Sequence, residues 1–371
     1  MTNVVLKNYT SPEVYSSFVI VQIFIGYVFT LGFLGADSVL LRFSTLVRNK
    51  IEVDFILLLQ LLISWVLACF CFVFFVGDYI GLKYTYSIYF LIFIIISLVF
   101  LCSIITRLKS EFFISQFYLN SWKIAFFLLV LIAFFIDSYI GVDALVNYVV
   151  ISFSVSLLFC LKDVFRLFTD VLVIPNESSS FKNIVFQYSF FMSFVFFAVL
   201  GSFDRVFLEG ILTDKEFSEY AYLITLLIFP LGIISNYIGY KELVSFKAGK
   251  EINLVDSLRR IVLFSSILYV FYSVILYSVK DLISLDFDFK VFFAAFIIAI
   301  CKVPYSLLSS IMGAKSSSND ILKINHMSLG LLSVVCVVNL FFKNVYFCIY
   351  SISFVWMVRT YLYYLKSKNY V

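Results

Sequence analysis

Two lysines lie inside long apolar stretches of this sequence. Lys302 is near the middle of the stretch 290–312, and Lys123 lies within 113–136. A lysine at the centre of a bilayer costs about 2.5 to 3.5 kcal/mol, so each side chain is expected to face a bundle interior or water. The residue type and the depth together point to binding of an anion inside a membrane.

Neutral polar residues accompany each lysine at helical spacing. Ser306 and Ser309 follow the first lysine by four and seven residues, and Asn120 and Gln116 precede the second by three and seven. Residues at these spacings share one face of a helix. Each lysine is therefore predicted to belong to a polar stripe that faces a cavity.

Two arginines at the ends of apolar stretches extend this pattern. Arg42 follows the first stretch and Arg205 closes the sixth, so we expect cations at successive depths along an anion pathway. The alternative is that both arginines are interfacial anchors whose charged ends reach the lipid headgroups. Lys123 is also such an anchor if its span begins near Trp122. Asp204 adjoins Arg205, but adjacent helical residues diverge by about 100° and are not expected to face each other.

Composition places these residues in a membrane protein. Of 371 residues, 63% are hydrophobic and 13% are charged, and the mean hydropathy is +1.05, whereas a soluble domain carries about 25% charged residues. Eleven apolar runs can each cross a hydrocarbon core of roughly 30 Å, and none alternates as a membrane barrel strand does. The sequence predicts an all-α, polytopic helical bundle. Its spans are 12–34, 53–77, 84–106, 113–136, 142–161, 184–203, 220–240, 261–279, 290–312, 322–342 and 345–365.

Motifs for catalysis and for metal binding are missing from the sequence. The seven cysteines lie inside the spans without a CxxC pair, and there is no GxSxG, P-loop or HExxH motif. We expect no enzymatic activity, no metal and no cofactor. No basic run or stacking motif indicates nucleic acid.

The distribution of cations predicts the orientation in the membrane. Eighteen cations follow the odd-numbered spans or lie in the C-terminal segment: Arg42, Arg48, Lys50, Arg107, Lys109, Lys162, Arg166, Lys182, Lys241, Lys247, Lys250, Arg259, Arg260, Lys315, Lys323, Arg359, Lys366 and Lys368. The other loops and the N-terminal segment hold seven: Lys7, Lys83, Arg205, Lys215, Lys280, Lys290 and Lys343. The positive-inside rule places the first set, and the C-terminus, in the cytoplasm.

The two halves of the chain share short similarities. Phe29-Thr30-Leu31-Gly32 and Phe229-Pro230-Leu231-Gly232 occur late in two spans, and the turns at 10–15 and 213–217 precede them. The second half has one span more than the first, so we expect a missing first helix. The expected organisation is a five-span lobe at 1–165, a cytoplasmic linker at 166–183 and a six-span lobe at 184–371, related as parallel repeats with a cleft between them.

Several of these segments carry a family resemblance. They are Thr10-Ser11-Pro12-Glu13-Val14-Tyr15, Gly32-Phe33-Leu34-Gly35-Ala36-Asp37-Ser38-Val39-Leu40-Leu41-Arg42-Phe43, Gly201-Ser202-Phe203-Asp204-Arg205-Val206-Phe207-Leu208 and Glu216-Phe217-Ser218-Glu219-Tyr220-Ala221. In these segments the chain resembles bacterial oligosaccharide flippases, the O-antigen and capsule repeat-unit translocases of the multidrug, oligosaccharidyl-lipid and polysaccharide exporter superfamily. Family members typically have twelve helices with both ends in the cytoplasm, one helix more than this chain.

The resemblance implies alternating-access transport of a polyprenyl-diphosphate-linked oligosaccharide across the bacterial cytoplasmic membrane. Its expected partners are membrane lipid, a glycan polymerase and a chain-length regulator. The diphosphate would meet Lys302, Lys123, Arg42 and Arg205. The sugar hydroxyls would meet Gln116, Asn120, Gln187, Ser306 and Ser309.

Three alternative functions remain at this point. A multidrug antiporter of the same superfamily would favour membrane-embedded acids, whereas the ionisable groups at mid-span are lysines. A membrane glycosyltransferase or glycan polymerase would present a large outer loop with paired acids or arginines. The outer loops around 204–219 and 280–290 are short. A scaffold within a glycan assembly complex would lack transport altogether.

Overall fold

The fold is known from a computed structural model that describes residues 2–47, 50–76, 86–136, 140–174, 180–247, 249 and 251–371. Within these ranges it has thirteen α-helices: α1 Thr2–Tyr9, α2 Pro12–Leu31, α3 Ala36–Phe43, α4 Phe55–Cys71, α5 Tyr86–Leu108, α6 Phe112–Phe135, α7 Val142–Asp170, α8 Ser180–Glu209, α9 Asp214–Lys247, α10 Leu254–Ser278, α11 Phe289–Lys315, α12 Ser318–Phe342 and α13 Val345–Ser367. A π-helical turn at Phe72–Val76 extends α4.

Eleven helices of the described ranges are long and apolar enough to cross a membrane, and only the eight-residue α1 and α3 are not. This confirms the prediction of an all-α polytopic bundle with about eleven spans. The seventh and eighth spans begin earlier than predicted, at Asp214 and Leu254. Residue 77, residues 84–85, the linker residues 175–179 and three cations of the charge comparison (Arg48, Lys83 and Lys250) lie outside the described residues.

The two similar turns of the sequence are both helix N-caps. The Ser11 hydroxyl accepts a hydrogen bond from the Val14 amide at 3.4 Å and begins α2. Thr213 and Glu216 form a reciprocal capping box at the start of α9, with the Glu216 carboxylate 3.1 Å from the Thr213 amide nitrogen. These caps satisfy backbone donors that the first helical turn leaves without partners. The end of the repeat differs, because α2 ends at Leu31 whereas α9 continues through Pro230 to Lys247.

The chain divides into two compact units, Met1–Ala198 and Val199–Val371, so the division falls within α8. The predicted linker 166–183 includes the end of α7, the strand β3 (Val171–Ile174) and the start of α8. The lobe boundary at 166–183 stays a prediction.

The first unit packs α5, α6 and α7 against one another and places α2 against α5 and α7. Aromatic rings fill this core. Phe18 of α2 stacks on Phe126 of α6 with centroids 5.2 Å apart, and Trp122 stacks on Phe153 of α7 at 4.6 Å. Such offset ring pairs stabilise beyond the area they bury.

A small sheet also belongs to the first unit. Strand β1 (Thr45–Val47) pairs antiparallel with β2 (Lys50–Asp54), and β2 pairs parallel with β3. Ile51 and Val53 are buried while the residues between them are partly exposed. This alternation is typical of a strand with one covered face.

The second unit is organised around α11, which packs on α9, α13 and α10. Small residues hold α9 and α11 close. The Ser235 and Ser306 hydroxyls hydrogen-bond each other, and the Ser310 hydroxyl donates to the Gly239 carbonyl at 2.9 Å. Close approach through glycine and serine is the usual packing of helices in lipid, where no hydrophobic effect drives association.

Candidate functional site

The second unit contains a cavity of about 220 Å³ between the C-terminal part of α8 and the inner parts of α9, α11 and α13. Three charged side chains line it: Asp204, Arg205 and Lys302. Its other walls are mostly apolar or aromatic, from Leu200, Ile224, Ile228, Phe229, Ile298, Ile349, Ile352 and Trp356. A mostly apolar cavity with a few convergent charged groups is the usual form of a ligand site.

Lys302 lies at the centre of α11, thirteen residues from each end of the helix. At 1.5 Å per residue, this is about 20 Å from either end, the depth that the sequence predicts. Its ammonium lies beside Gly232 of α9, where a methyl group built on the glycine would be 4.0 Å from Nζ. No hydrogen bond or ion pair to Nζ occurs in the part of the chain that the structure describes.

Arg205 and Asp204 face the same cavity, contrary to the expectation that these helical neighbours diverge. Arg205 Nε is 3.8 Å from Asp204 Oδ1, and its guanidinium also donates to the Gly201 carbonyl. Asp204 Oδ2 accepts a hydrogen bond from the Tyr220 hydroxyl at 2.9 Å. The long arginine side chain thus reaches the carboxylate of its neighbour on the same helix.

The charge balance of the cavity favours an anionic ligand. Two cations line it with one carboxylate, and that carboxylate is already engaged by Arg205 and Tyr220. Burying an uncompensated charge costs free energy that an anion of opposite charge would recover. An arginine supplies directed N–H donors and a lysine a movable point charge, which together suit a phosphate.

Ser306 and Ser309 have other partners than the cavity. The Ser306 hydroxyl is buried against Ser235 and the Lys302 carbonyl, and the Ser309 hydroxyl donates to the Ser306 carbonyl at 3.0 Å. Neither side chain lines the cavity. Both serines follow Lys302 at helical spacing, but their hydroxyl groups form hydrogen bonds within α11 or with α9 and not with a group in the cavity.

The other predicted site residues lie in the first unit. Lys123 is eleven and twelve residues from the ends of α6, near the middle of the helix, and the alternative in which its span begins near Trp122 stays open. Its ammonium donates to Asn120 Oδ1 at 2.8 Å, and the Asn120 amide donates to the Gln116 carbonyl at 2.9 Å. The predicted polar stripe is therefore present and internally hydrogen-bonded.

Arg42 and Gln187 hold structural contacts within this unit. The Arg42 guanidinium lies 4.2 Å from the Phe186 ring centroid, at the end of α3. Gln187 donates to the Ser64 hydroxyl at 2.6 Å and to the Leu34 carbonyl at 3.3 Å, and it accepts from Gln60. Gln187 thus connects α8, α4 and the turn after α2.

One arginine that the sequence analysis counted with the cations of the C-terminal segment is buried inside a helix of the second unit. Arg359, counted among the cytoplasmic cations, is fully buried within α13. It donates to Asn325 Oδ1 at 2.9 Å, and its guanidinium lies 5.0 Å from the Tyr363 ring centroid. The signal was available, since Arg359 lies inside the predicted span 345–365 and aromatic residues flank it.

No protein-family model matches this chain, and no curated protein sequence matches it. Among the residues that the structure describes, no group of three or more His, Cys, Asp or Glu could hold a metal ion. The cavity therefore has to be interpreted from its own chemistry.

Proposed function

We propose that this protein moves a polyprenyl-diphosphate-linked oligosaccharide across the bacterial cytoplasmic membrane. The observation that carries the proposal is the pair of cations, Lys302 and Arg205, in one cavity within a multi-pass helical membrane protein. The resemblance of its segments at 10–15, 32–43 and 201–221 to oligosaccharide flippases supports the same substrate class. We further propose that the C-terminus is cytoplasmic and that no covalent chemistry occurs.

The mechanism follows from what a diphosphate costs in hydrocarbon. Crossing a bilayer core of roughly 30 Å with this charge exposed to lipid is prohibitive. In the proposal Lys302 and Arg205 receive the diphosphate while the cavity is open to one side, and a conformational change then exposes it to the other. Asp204 attracts the Arg205 guanidinium, so it weakens the binding of the diphosphate by Arg205 and favours its release.

The other predicted site residues keep their proposed roles, Ser306 and Ser309 in the second unit and the rest in the first unit. Lys123 would provide a second phosphate contact there, and Gln116 and Asn120 would meet sugar hydroxyls. Arg42, Gln187, Ser306 and Ser309 are weaker candidates because aromatic rings or hydrogen bonds within the protein already engage them.

The test is restoration of surface polysaccharide in a flippase-null strain that expresses the matching glycan pathway. We expect the wild-type protein to restore long-chain glycan and Lys302→Gln to reduce it at least tenfold, since the variant loses the charge that meets the diphosphate. Lys323→Gln, which changes an exposed lysine of α12, is the matched control and should behave as wild type. No restoration by correctly inserted wild-type protein would reject the proposal.

One observation favours a second candidate, a multidrug antiporter of the same superfamily. Asp204 is a buried acid that lines the cavity, and membrane-embedded acids are the groups that such antiporters need. Efflux of a fluorescent organic cation from cells separates the two functions. Efflux that Asp204→Asn abolishes, together with no restoration of glycan, would favour the antiporter.

A further inference from the structure

Helix α10 exposes apolar side chains along nearly its whole length. Leu263, Phe264, Ile267 and Phe271 are each at least 60% exposed, and Val255 and Val274 nearly so. In a membrane protein such a face contacts lipid acyl chains.

A groove of about 460 Å³ lies between α10 and the end of α13. Its floor is apolar and includes Val255, Leu258, Val262 and Leu263. Arg259 and Tyr364 are the two residues of the groove with large polar groups, and they come from different helices. The groove is therefore mostly apolar, with one guanidinium and one phenol among its lining side chains.

Two cations are related to Tyr364: Arg259 lines the same groove, and Lys368 lies over the Tyr364 ring. Arg259 is exposed, and within the described ranges it makes no hydrogen bond or ion pair. Lys368 is also exposed, and its ammonium lies 4.4 Å from the centroid of the Tyr364 ring. The acid nearest in sequence, Asp256, accepts a hydrogen bond from the Asn253 side chain at 2.8 Å as part of the cap of α10.

The depth of these cations matches the edge of a bilayer. Arg259 precedes the end of α10 at Ser278 by nineteen residues, which is about 28 Å of helix, close to the thickness of the hydrocarbon core. Lys368 directly follows the last residue of α13. Tyrosine is enriched at this depth, where its ring contacts chains and its hydroxyl contacts headgroups.

We propose that this groove binds an anionic glycerophospholipid. One acyl chain lies on Val262 and Leu263, on the core side of Arg259, and the phosphate is held between Arg259 and Lys368. The planar guanidinium donates two parallel hydrogen bonds to phosphate oxygens, and the ammonium adds a point charge. This site is separate from the cavity that contains Lys302, so it does not depend on the transported substrate.

The experiment measures lipid binding to the purified full-length chain by native mass spectrometry from detergent. Phosphatidylglycerol and phosphatidylcholine with identical acyl chains are titrated in parallel. We expect preferential retention of phosphatidylglycerol, and about fivefold weaker binding in Arg259→Gln and in Lys368→Gln, as a cation near an anionic headgroup contributes on this scale. The matched control is Arg260→Gln, an exposed neighbour on the same helix that does not line the groove.

Each outcome decides the proposal. Equal loss of binding in Arg260→Gln and Arg259→Gln would show general attraction of anionic lipid to a basic surface, and would overturn the site. Wild-type binding by Arg259→Gln and Lys368→Gln would overturn it as well. Competition by soluble glycerol phosphate at the same concentration as the lipid would show that the acyl chain contributes nothing, and the groove would then be a phosphate site.

Discussion

Lys302 combines a structural cost with a proposed function, and the two can be separated by mutation. Its ammonium lies in a cavity beside Arg205, a second cation, without a bonded partner in the described part of the chain. Methionine has a similar length and flexibility but no charge. We expect Lys302→Met to stabilise the protein by on the order of 1 to 3 kcal/mol while abolishing transport, because functional sites retain groups that the fold alone would not.

Thermal unfolding in detergent measures this effect, with Lys323→Met at an exposed position of α12 as the control. The control should change stability by less than about 0.5 kcal/mol. A variant Lys302→Met that is less stable than wild type would show that the ammonium is held by favourable contacts, and would weaken the case for an anion site.

The sequence singles out Lys302, which lines the cavity, and Lys123, which lies in the first unit, but not the surroundings of either lysine. A charge inside a long apolar run is visible in one dimension, and its energetic cost at mid-bilayer makes it informative. The convergence of Arg205, Asp204 and Tyr220 depends on how α8 and α9 pack, which helical spacing does not encode. For Ser306 and Ser309, helical spacing indicates the face they share but not the hydroxyl partners, which are Ser235 and backbone carbonyls.

The turn between α2 and α3 depends on a single glycine. Gly35 has φ = +83°, a left-handed conformation that side chains rarely adopt, and a methyl group there would lie 2.7 Å from the Phe191 nitrogen and 2.8 Å from the Gln187 carbonyl oxygen. Both contacts are to backbone of α8, which cannot rotate away. We expect Gly35→Ala to destabilise the protein by roughly 2 to 4 kcal/mol.

Gly26→Ala is the matched control for this prediction, because it lies inside α2 and a methyl group there meets nothing within 4 Å. Alanine is the better helix former, so this variant should be neutral or more stable by up to about 1 kcal/mol. Unfolding temperatures of the two variants in the same detergent provide the comparison. Equal stability of both would mean that the turn adapts without strain.

Helix α3 carries a pH-sensitive acid outside the membrane spans. Burial raises the pKa of the Asp37 carboxyl from 3.8 to about 6, although hydrogen bonds from the amides of Asp37 and Ser38 and the positive charge of Arg107 oppose the shift. A raised pKa means that the folded state binds the proton more tightly than the unfolded state. Stability should therefore rise as the pH falls from 7 to 5 by about 1.3 kcal/mol, part of a total of about 3 kcal/mol that is complete below pH 3.8.

Asp37→Asn keeps an acceptor for the backbone amides and removes the titration. We expect this variant to be more stable than wild type at pH 7 and to lose the dependence between pH 5 and 7. Unfolding temperature measured across this range tests both statements. A pH dependence that persists unchanged in Asp37→Asn would assign it to another group.

The membrane-spanning helices could be predicted because the length of an apolar run specifies them, whereas the strands and the short helix α3 could not. Eleven spans follow from apolar runs of about twenty residues, and the capped turns at Ser11 and Thr213 follow from residue type. The pairing of β2 with β3 joins residues about 120 positions apart, and short strands inside basic and polar segments give a weak local signal. The restart of the helix at Ala36 was equally hidden, because α9 passes through the equivalent tetrapeptide without a break.

At the scale of the whole molecule, the parity of spans and the placement of charge make one joint prediction. Three spans, α11, α12 and α13, separate the segment around Asp281 from the residues after Ser367, so these two segments must lie on opposite sides of the membrane. Over the whole chain, eighteen lysines and arginines follow the odd-numbered spans or lie in the C-terminal segment, against seven in the other loops and the N-terminal segment. The positive-inside rule therefore predicts that the C-terminal segment is cytoplasmic.

Cysteine labelling tests this orientation directly. We expect a membrane-impermeant maleimide to label Asp281→Cys in intact cells, and to label Asn369→Cys only after the membrane is permeabilised. The parent chain, with its seven native cysteines, provides the background because Cys71 is exposed on α4. Labelling of both variants in intact cells would mean that the number of spans between the two positions is even. The reversed pattern would agree with three spans but would invert the membrane orientation, on which the proposed direction of transport depends.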